Sequence, residues 1–404
     1  MRCFGKRLLR FTLVAIALLV LAIPLVSRIK GVVIGRYDGK VTGYAKDAGV
    51  WLFNEYPPVP ARRDGPYVID AVGQRIALNL VPTADGEARA VRTPVDGDID
   101  VIVDDAVGTR FTVPLRSRYP RPALQWPMPE RLLAVSDLEG NFAAATRLLR
   151  AQGVIDAQLH WAYGRGQLVL LGDMVDRGDN VVPLLWLLYR LEAEAAAAGG
   201  ALHYVLGNHE QYLLQGRMKS THDKYYGSAR VAGSDHGDLW SPRTELGRWL
   251  RSKPVMVRVG DTLFTHGGVS PQVLAAGLDL AAIDRLAARY TGVFAEPDNP
   301  GMEAILGRHG LSWYRGLAKA TESTPLASAA HVDALLAKYG ARRIAIGHTL
   351  TAHVGQAYGG RVLRTDVAHV DGVNEGILFA DGDLWRVDAA GGRAALASAV
   401  NLTE

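Results

Sequence analysis

The chain is poor in cysteine, with a single residue of this type, Cys3, among 404. One cysteine forms no disulfide within a chain, and it excludes a zinc site built from four cysteines. Any metal must therefore be held by histidine, aspartate, glutamate or asparagine. The lack of disulfides does not identify the compartment, because large domains fold without them.

An excess of charge of one sign is also missing: 45 lysines and arginines face 41 acids, for a net charge of +4. Part of that excess lies at the N-terminus, in Arg2, Lys6, Arg7 and Arg10. Since no basic stripe alternates with aromatic residues, nucleic acid is not an expected partner. The length allows two or three domains, and the apolar fraction of 49% allows a sizeable core.

A long apolar run occupies residues 11–26, between a basic start and the pair Arg28 and Lys30. It is somewhat short of the roughly 20 residues of a full span, yet long for the core of a signal peptide, usually about 7–15 residues. The charge bias favours an uncleaved signal anchor with its N-terminus in the cytoplasm. We therefore expect attachment to a bacterial inner membrane, with the body of the protein in the periplasm. The alternative is a cleaved signal peptide and a periplasmic or secreted protein.

Two regions of different pattern follow this segment. Residues 31–128 contain short β-branched or alternating runs divided by turn signals such as Asp96-Gly, which predict a small β-rich accessory domain. From residue 131 apolar strands alternate with helical patterns, which is typical of βαβ units and a mostly parallel sheet. The predicted domains are thus 1–30, 31–128 and 129–404.

Three motifs in the second region each follow an apolar run: SDLEGN at 136–141, GDMVDRG at 172–178 and GNHE at 207–210. Two later strands are followed by HGG at 266–268 and GHT at 347–349. In an open α/β sheet, ligands gather at the carboxyl ends of the strands. The motifs therefore predict one active-site rim.

The residue types on this rim suit phosphate-ester hydrolysis by two metals, which activate water and neutralise the phosphoryl oxygens. Asp173, at the end of a buried strand, is the expected bridging ligand. Asp137 would bind one metal, and Asn208, His266 and His348 the other. These oxygen and nitrogen donors suit Mn, Fe or Zn.

The same turns supply a phosphate clamp and a proton donor. Arg177 carries a planar fork of donors that fits phosphate oxygens, and Arg315 is a second candidate clamp. Asp176 would orient His209 as a general acid. Three further histidines lack such a context and are expected to be structural: His222, His353 and His369.

The order GDMVDRG, GNHE, THGG and GHT resembles the calcineurin-like metallophosphoesterases, in particular their phosphoprotein phosphatase family. In local detail it is similar to the bacterial Shewanella-like protein phosphatases, through residues 208–216, 221–226, 245–250, 263–271 and 312–316. The resemblance covers residues 131–385. In that superfamily specificity lies in loops, which here are 217–243 and 292–312.

The resemblance implies an α/β (α+β) fold, a metallophosphatase-type β-sandwich of two mixed sheets flanked by helices, in place of a parallel sheet. It implies two divalent metal ions held by Asp137, Asp173, Asn208, His266 and His348. A metal-bound hydroxide would hydrolyse phosphate monoesters on phosphoproteins or small molecules, with His209 as general acid beside Asp176. Expected contacts to the phosphorylated substrate come from Arg177, Asn208 and Arg315.

Two alternatives stay open: a nucleotide or dinucleoside-polyphosphate hydrolase, and a degenerate phosphate-binding module. The second is suggested by a departure from the family pattern Asp-x-His-Gly, which here reads Asp137-Leu-Glu139-Gly. Glu139 is expected to ligate through oxygen and to favour harder ions such as Mn over Zn. Otherwise it would hydrogen-bond a water molecule, and the first metal would be bound more weakly. The sequence predicts no oligomeric state.

Overall fold

A computed structural model describes residues 32–37, 40–45, 50–56, 59–84, 86–293 and 300–397. The chain divides into two compact units, Met1–Val59 and Pro60–Glu404. The expected signal anchor at 1–30 lies outside the described residues. Within the described part of the chain, no helix has the length and apolar character needed to cross a membrane.

The first unit contains one antiparallel sheet with the order β1-β2-β3. Its strands are β1 (Val32–Tyr37), β2 (Lys40–Ala45) and β3 (Val50–Glu55). This sheet confirms that the N-terminal part of the chain is β-rich and antiparallel.

The second unit begins with five more antiparallel strands, in a three-stranded sheet and a two-stranded sheet. They are β4 (Asp64–Ala71), β5 (Gln74–Pro82), β6 (Ala88–Val95), β7 (Asp98–Ile102) and β8 (Arg110–Pro114). The predicted domain boundary between 128 and 129 stays a prediction, although these strands share a compact unit with everything that follows.

Two six-stranded sheets form the body of the second unit. The first has the order β12-β11-β10-β18-β19-β20 and the second the order β16-β17-β15-β14-β13-β9. The strands are β9 (Gln125–Trp126), β10 (Arg131–Val135), β11 (Gln167–Leu170), β12 (Ala201–Tyr204), β13 (Met256–Val259), β14 (Thr262–Thr265), β15 (Arg343–Ile346), β16 (Gly355–Ala357), β17 (Val362–Arg364), β18 (Glu375–Ala380), β19 (Asp383–Asp388) and β20 (Arg393–Ala395).

Both sheets are mixed. In the first, β10, β11 and β12 run parallel while β18 joins β10 antiparallel; in the second, β14, β15 and β17 run parallel while β13 joins β14 antiparallel. The expectation of a mostly parallel sheet, drawn from the strand–helix alternation alone, is therefore wrong. The two mixed sheets implied by the family resemblance are confirmed.

Nine α-helices of the described residues flank the sheets. They are α1 (Phe142–Ala151), α2 (Val181–Ala197), α3 (Asn208–Leu214), α4 (Lys224–Ala232), α5 (Glu245–Arg251), α6 (Pro271–Ala275), α7 (Leu280–Tyr290), α8 (Pro300–Leu306) and α9 (Ala329–Tyr339). Their ends follow local chemistry: the Asn141 side chain caps α1 by accepting from the Ala144 amide, and the left-handed Gly340 ends α9.

The core lies between the two sheets. Leu132 and Val169 from the first sheet and Phe264, Ala345 and Leu363 from the second belong to one fully buried apolar cluster. Strands covered on both faces bury nearly every side chain, which is why their sequences are continuous apolar runs. This packing fixes the two sheets against each other and sets the positions of their strand ends.

Helix α2 connects the body to the smaller sheets of the same unit. The Trp186 indole donates to the Pro66 carbonyl at 2.8 Å, and the Arg190 guanidinium donates to the Thr112 carbonyl at 3.0 Å. Both side chains are buried. Residues 64–114 therefore pack on the helix that follows the GDMVDRG motif.

Two buried histidines predict acid sensitivity of the fold. Burial lowers the pKa of His203 to about 4, although Glu192 opposes the shift, and burial likewise lowers the pKa of His236 to about 4. In the unfolded chain both titrate near 6.5. Because the unfolded state binds more protons between these values, the free energy of unfolding falls as the pH drops from about 6.5 to 4.

We expect His203→Gln to lose less stability than the wild type over that interval. The measurement is urea unfolding at pH 7, 6 and 5. The quantity compared is the change in the free energy of unfolding with pH, not its absolute value. The wild type should lose on the order of 1–3 kcal/mol more than the variant. Parallel pH profiles for the two proteins would contradict the assignment.

Candidate metal and phosphate site

Strands of both sheets end at one cavity of about 490 Å³. From the first sheet, β10, β11 and β12 lead to Asp137, Asp173 and Asn208; from the second, β14 and β15 lead to His266 and His348. Eight of the ten predicted site residues line the cavity: Asp137, Glu139, Asp173, Arg177, Asn208, His209, Arg315 and His348. The other two, Asp176 and His266, are buried directly behind it and contact its lining.

The backbone at this rim is turned sharply. Nine non-glycine residues of the described chain have positive φ, and six belong to the predicted site: Asp137, Glu139, Asp173, Asp176, Arg177 and His348. Such residues cost energy and persist where the surroundings fix them. Here the first two motifs hold each other, since the amides of Asp137 and Glu139 donate to the carbonyls of Gly172 and Asp173 at 3.0 and 2.9 Å.

A buried carboxylate, Glu210, fixes the second and third motifs. Its Oε2 accepts from the amides of Asp173 and Gly207 at 2.9 and 2.7 Å, and its Oε1 accepts from the Met174 amide at 2.8 Å and the Tyr204 hydroxyl at 2.9 Å. Glu210 is 0% exposed. The glutamate of GNHE therefore has a positioning role that the motif by itself did not reveal.

Three predicted ligands meet as a group that fits a cation. One ligand atom each from Asp173, His266 and His348 lies within 4.8 Å of the others. His266 donates through Nδ1 to the Leu171 carbonyl at 2.6 Å, which directs Nε2 toward Asp173 Oδ2 at 3.1 Å and Asn208 Oδ1 at 3.0 Å. His348 Nε2 is buried and has no hydrogen-bond partner among the described residues. A divalent metal would satisfy these donor atoms.

Asp137 and Glu139 have different surroundings. Asp137 Oδ2 accepts from the His348 amide at 3.1 Å. Burial raises the pKa of Asp137 to about 6, with His266 opposing the shift and Asp173 adding to it. The Glu139 carboxylate forms an ion pair with Arg177. Glu139 thus reaches the cavity beside Asp137, but in this arrangement it contacts the expected phosphate clamp.

Two carboxylates orient the His209 ring in the way that a general acid requires. Its Nδ1 lies 2.7 Å from Asp176 Oδ2, whose other oxygen accepts from the Thr221 hydroxyl at 2.9 Å. Its Nε2 faces Asp173 Oδ2 at 3.7 Å. Burial alone would lower the pKa of His209, but the carboxylates of Asp173 and Asp176 outweigh it and raise the pKa. Sequence reasoning missed Thr221, which lies in the predicted specificity loop.

Two arginines bring positive charge to the same cavity. Arg177 has a half-exposed side chain with Nη2 3.4 Å from His209 Nε2. Arg315 donates through Nη1 to the His348 carbonyl at 2.6 Å. Trp313 packs edge-on against His348, with ring centroids 5.4 Å apart. The pattern Trp-Tyr-Arg-Gly therefore delivers both an aromatic wall and a cation.

Asp366 also lines the cavity and was missed by the sequence analysis. It follows β17, a strand of three residues that no glycine-marked motif flags. Burial and the neighbouring Asp137 raise the pKa of Asp366 to about 9. The signal that could have found it is the rule used for the other ligands, an acid directly beyond an apolar strand.

The structural role expected for three histidines stays a prediction, and each of them has a hydrogen-bond partner. His222 Nδ1 accepts from the Lys224 amide at 3.1 Å, and His353 Nδ1 lies 2.8 Å from Glu375 Oε1. His369 borders the cavity, yet its two nitrogens lie within hydrogen-bond distance of Asn374 Oδ1 and the Ser136 carbonyl.

Two mixed sheets with nitrogen and oxygen ligands at their strand ends, beside two arginines and an oriented histidine, define a metal-dependent phosphoesterase fold. The calcineurin-like phosphoesterase family matches residues 130–352, more than half of the chain. The chain belongs to this family.

Comparison with individual proteins supports the narrower resemblance. The crystal structure of a cold-active protein-tyrosine phosphatase of a psychrophile, Shewanella sp., is 28% identical, with a TM-score of 0.73 over 83% of this chain and 100% of that chain. Shewanella-like protein phosphatase 2 of Arabidopsis thaliana is 27% identical over 169 residues, 41% of each protein. Shewanella-like protein phosphatase 1 of Plasmodium berghei (strain Anka) is 24% identical over 225 residues.

The matches to the Arabidopsis and Plasmodium relatives are partial. The chain spans 41% of the Arabidopsis relative and 61% of the Plasmodium relative. A symmetrical bis(5'-nucleosyl)-tetraphosphatase of Methylococcus capsulatus is 28% identical over 143 residues, 35% of this chain and 44% of that one. The resemblance to calcineurin-like and Shewanella-like phosphatases is confirmed.

Removal of the Glu210 carboxylate should destabilise the protein strongly. In Glu210→Ala, three buried backbone amides lose their acceptor, and each unsatisfied group costs about 1–3 kcal/mol. We therefore expect the free energy of unfolding to fall by at least about 3 kcal/mol, measured by urea unfolding in EDTA. The exposed Glu130→Ala is the control and should stay within about 0.5 kcal/mol of the wild type. A loss below 1 kcal/mol for Glu210→Ala would argue against this positioning role.

Proposed function

We propose that the chain hydrolyses phosphate monoesters, on phosphoproteins or small molecules, with two bound divalent metals and with His209 as the general acid. The observation that carries this proposal is the pair of His209 and Asp176 beside the ligand group of Asp173, His266 and His348. A module that only binds phosphate has no need of an oriented proton donor. The arrangement therefore favours an enzyme over a degenerate phosphate-binding module.

The residues would divide between two cations with Asp173 shared. Asp137 and Glu139 would hold the first cation with Asp173, and Asn208, His266 and His348 would hold the second with Asp173. When bound, such a pair lowers the pKa of a bound water and neutralises phosphoryl charge. Oxygen and nitrogen donors suit Mn, with Fe or Zn as alternatives.

Arg177, Arg315 and Asn208 would hold the phosphate. Arg177 pairs with Glu139 and lies next to His209 Nε2, so a phosphate that engages Arg177 is placed beside the proton donor. Arg315 would hold a second oxygen while its own orientation is fixed by the His348 carbonyl. Two guanidinium groups can pair with the three non-bridging oxygens of a phosphomonoester.

His209 would protonate the leaving oxygen from Nε2. Its Nδ1 faces Asp176, which stabilises the protonated ring and sets the orientation. Thr221 donates to the other oxygen of Asp176, so the carboxylate is held on both sides. The raised pKa of His209 keeps the ring able to donate a proton near neutral pH.

The substrate class is drawn from the neighbours and the cavity wall. The Shewanella structure is described as a protein-tyrosine phosphatase, and Tyr212 and Trp313 line the cavity in this chain. Their ring centroids are 5.5 Å apart. Such a wall suits an aryl group beyond the phosphate. Because one relative is a tetraphosphatase, dinucleoside polyphosphates are the alternative substrate class.

Residues 1–30 are proposed to anchor this enzyme to a bacterial inner membrane, with the catalytic region in the periplasm. Support comes from the basic residues that precede the apolar run at 11–26. Fractionation of cells that express the full chain tests the proposal. Sedimentation with the inner membrane is expected, release by osmotic shock would favour a cleaved signal peptide, and recovery in the cytosol would contradict both.

Mutation of the proton donor should affect substrates according to their leaving group. We expect His209→Ala to lower kcat by about 10²–10⁴-fold on phosphoserine peptide, whose alkoxide needs a proton. The loss on p-nitrophenyl phosphate should be at least about tenfold smaller, because nitrophenolate leaves without protonation. Metal content should stay unchanged.

The control is His353→Ala, which removes a half-exposed histidine outside the cavity. It should retain wild-type rates on both substrates. Phosphotyrosine peptide, AMP and diadenosine tetraphosphate complete the panel and separate the two enzyme proposals. If the metal-loaded wild type cleaves none of these compounds and His209→Ala is equally inert, the hydrolase proposal fails.

A further inference from the structure

The parallel strands β15 and β17 bring a second acid to the edge where His348 lies. Ile346 of β15 is paired in register with Arg364 of β17. His348 and Asp366 each follow two residues later. Because parallel strands end at the same edge of a sheet, the two side chains are neighbours at the cavity, and both line it.

The backbone around Asp366 is fixed from two sides. Its carbonyl accepts from the Thr351 amide at 3.0 Å and from the Thr351 hydroxyl at 2.9 Å. The preceding residue, Thr365, donates through its hydroxyl to Ser136 Oγ at 2.8 Å. Since Ser136 directly precedes Asp137, these contacts place Asp366 between His348 and the first motif.

The Asp366 carboxylate is buried without a counterpart. The residue is 6% exposed, and within the described ranges of the chain no hydrogen-bond donor or ion-pair partner reaches its side chain. The three acids already assigned as metal ligands are matched: Glu139 by Arg177, Asp137 by the His348 amide, and Asp173 by the His209 amide. A buried carboxylate without a partner is costly, and a bound cation removes that cost.

A second atom gives an independent indication of a cation. His348 Nε2 is buried and unpartnered among the described residues, and His348 is also 6% exposed. An unpartnered imidazole nitrogen and a mostly buried acid thus come from adjacent strands and line the same cavity. Both are ligand types for a divalent metal.

We propose that Asp366 is a further ligand of the first cation, together with Asp137, Asp173 and Glu139. This inference rests on the two-cation site proposed above and adds a ligand that lies outside its sequence motifs. The first subsite would then contain four carboxylates and no imidazole. Such a set of hard oxygen donors favours Mn over Zn, so the acid at 366 compensates for the absent histidine at position 139.

The test is metal binding by the full chain and by Asp366→Asn, which keeps the shape and removes the charge. Asp371→Asn is the matched control, because Asp371 borders the same cavity but is exposed. Manganese content after dialysis and titration calorimetry with Mn²⁺ give stoichiometry and affinity. Thermal unfolding in EDTA shows whether each variant is folded, and Asp366→Ser is a second variant with a smaller side chain.

We expect two Mn per chain for the wild type and for Asp371→Asn. Asp366→Asn should lose one Mn or bind it at least about tenfold more weakly. Its melting temperature in EDTA should stay close to that of the wild type, because the amide keeps the shape of the carboxyl group; a purely structural acid would lower it. Asp366→Ser should reproduce both results.

One outcome is that the wild type binds two Mn and hydrolyses phosphate esters while Asp366→Asn binds both Mn with affinities within twofold of the wild type. That result would contradict the role of Asp366 and leave the proposed function standing. The inference also falls if both variants melt well below the wild type in EDTA. If the wild type binds no metal and cleaves no phosphate ester, the proposed function fails and this inference fails with it.

Discussion

The geometry of the cavity depends on one buried carboxylate. Glu210 accepts from the backbone amides of Asp173, Met174 and Gly207, so it joins the turn after β11 to the start of α3. The close approach of these turns requires glycine, because a Cβ on Gly207 would overlap the Asp173 carboxylate. In return the His209 amide donates to Asp173 Oδ1 at 2.9 Å. One side chain thus positions both Asp173, the proposed shared ligand, and the backbone turn that carries His209, the proposed proton donor.

The electrostatics of the site follow from this arrangement, since acids and bases are buried close together. Burial would raise the pKa of Asp173, but His266 and His209 hold it below its ordinary value. Burial would lower the pKa of His266, yet Asp173 and Asp137 raise it to about 10. Imidazole and carboxylate thus compensate each other where a cation is expected to bind. Environments that push pKa values of neighbouring groups apart are typical of active sites.

Much of the fold and site was readable from the sequence, for a physical reason. Strands buried on both faces must be continuous apolar runs, so the runs before the motifs at 136–141, 172–178 and 347–349 were recognisable as the strands β10, β11 and β15, and the polar residues beyond them followed. Strand order was not readable, because the antiparallel pairing of β18 with β10 joins segments more than 200 residues apart. Asp366 was missed because no glycine-marked motif follows the strand that precedes it, and the role of Glu210 depends on backbone donors that no side-chain pattern records.

Two residues of the site adopt an unusual backbone conformation, and contacts with the loop after α3 hold them in it. Asp176 and Arg177 have φ of 69° and 50°, a region that arginine seldom adopts. The Arg177 amide donates to the Ser220 carbonyl at 2.9 Å, and the Thr221 hydroxyl donates to Asp176. The loop at 217–243 that was expected to set specificity therefore also holds Arg177, the proposed phosphate clamp, and Asp176, the partner of His209. Under the proposed function, a substrate that moves this loop would change the orientation of both groups together, so substrate selection and proton transfer would depend on the same hydrogen bonds.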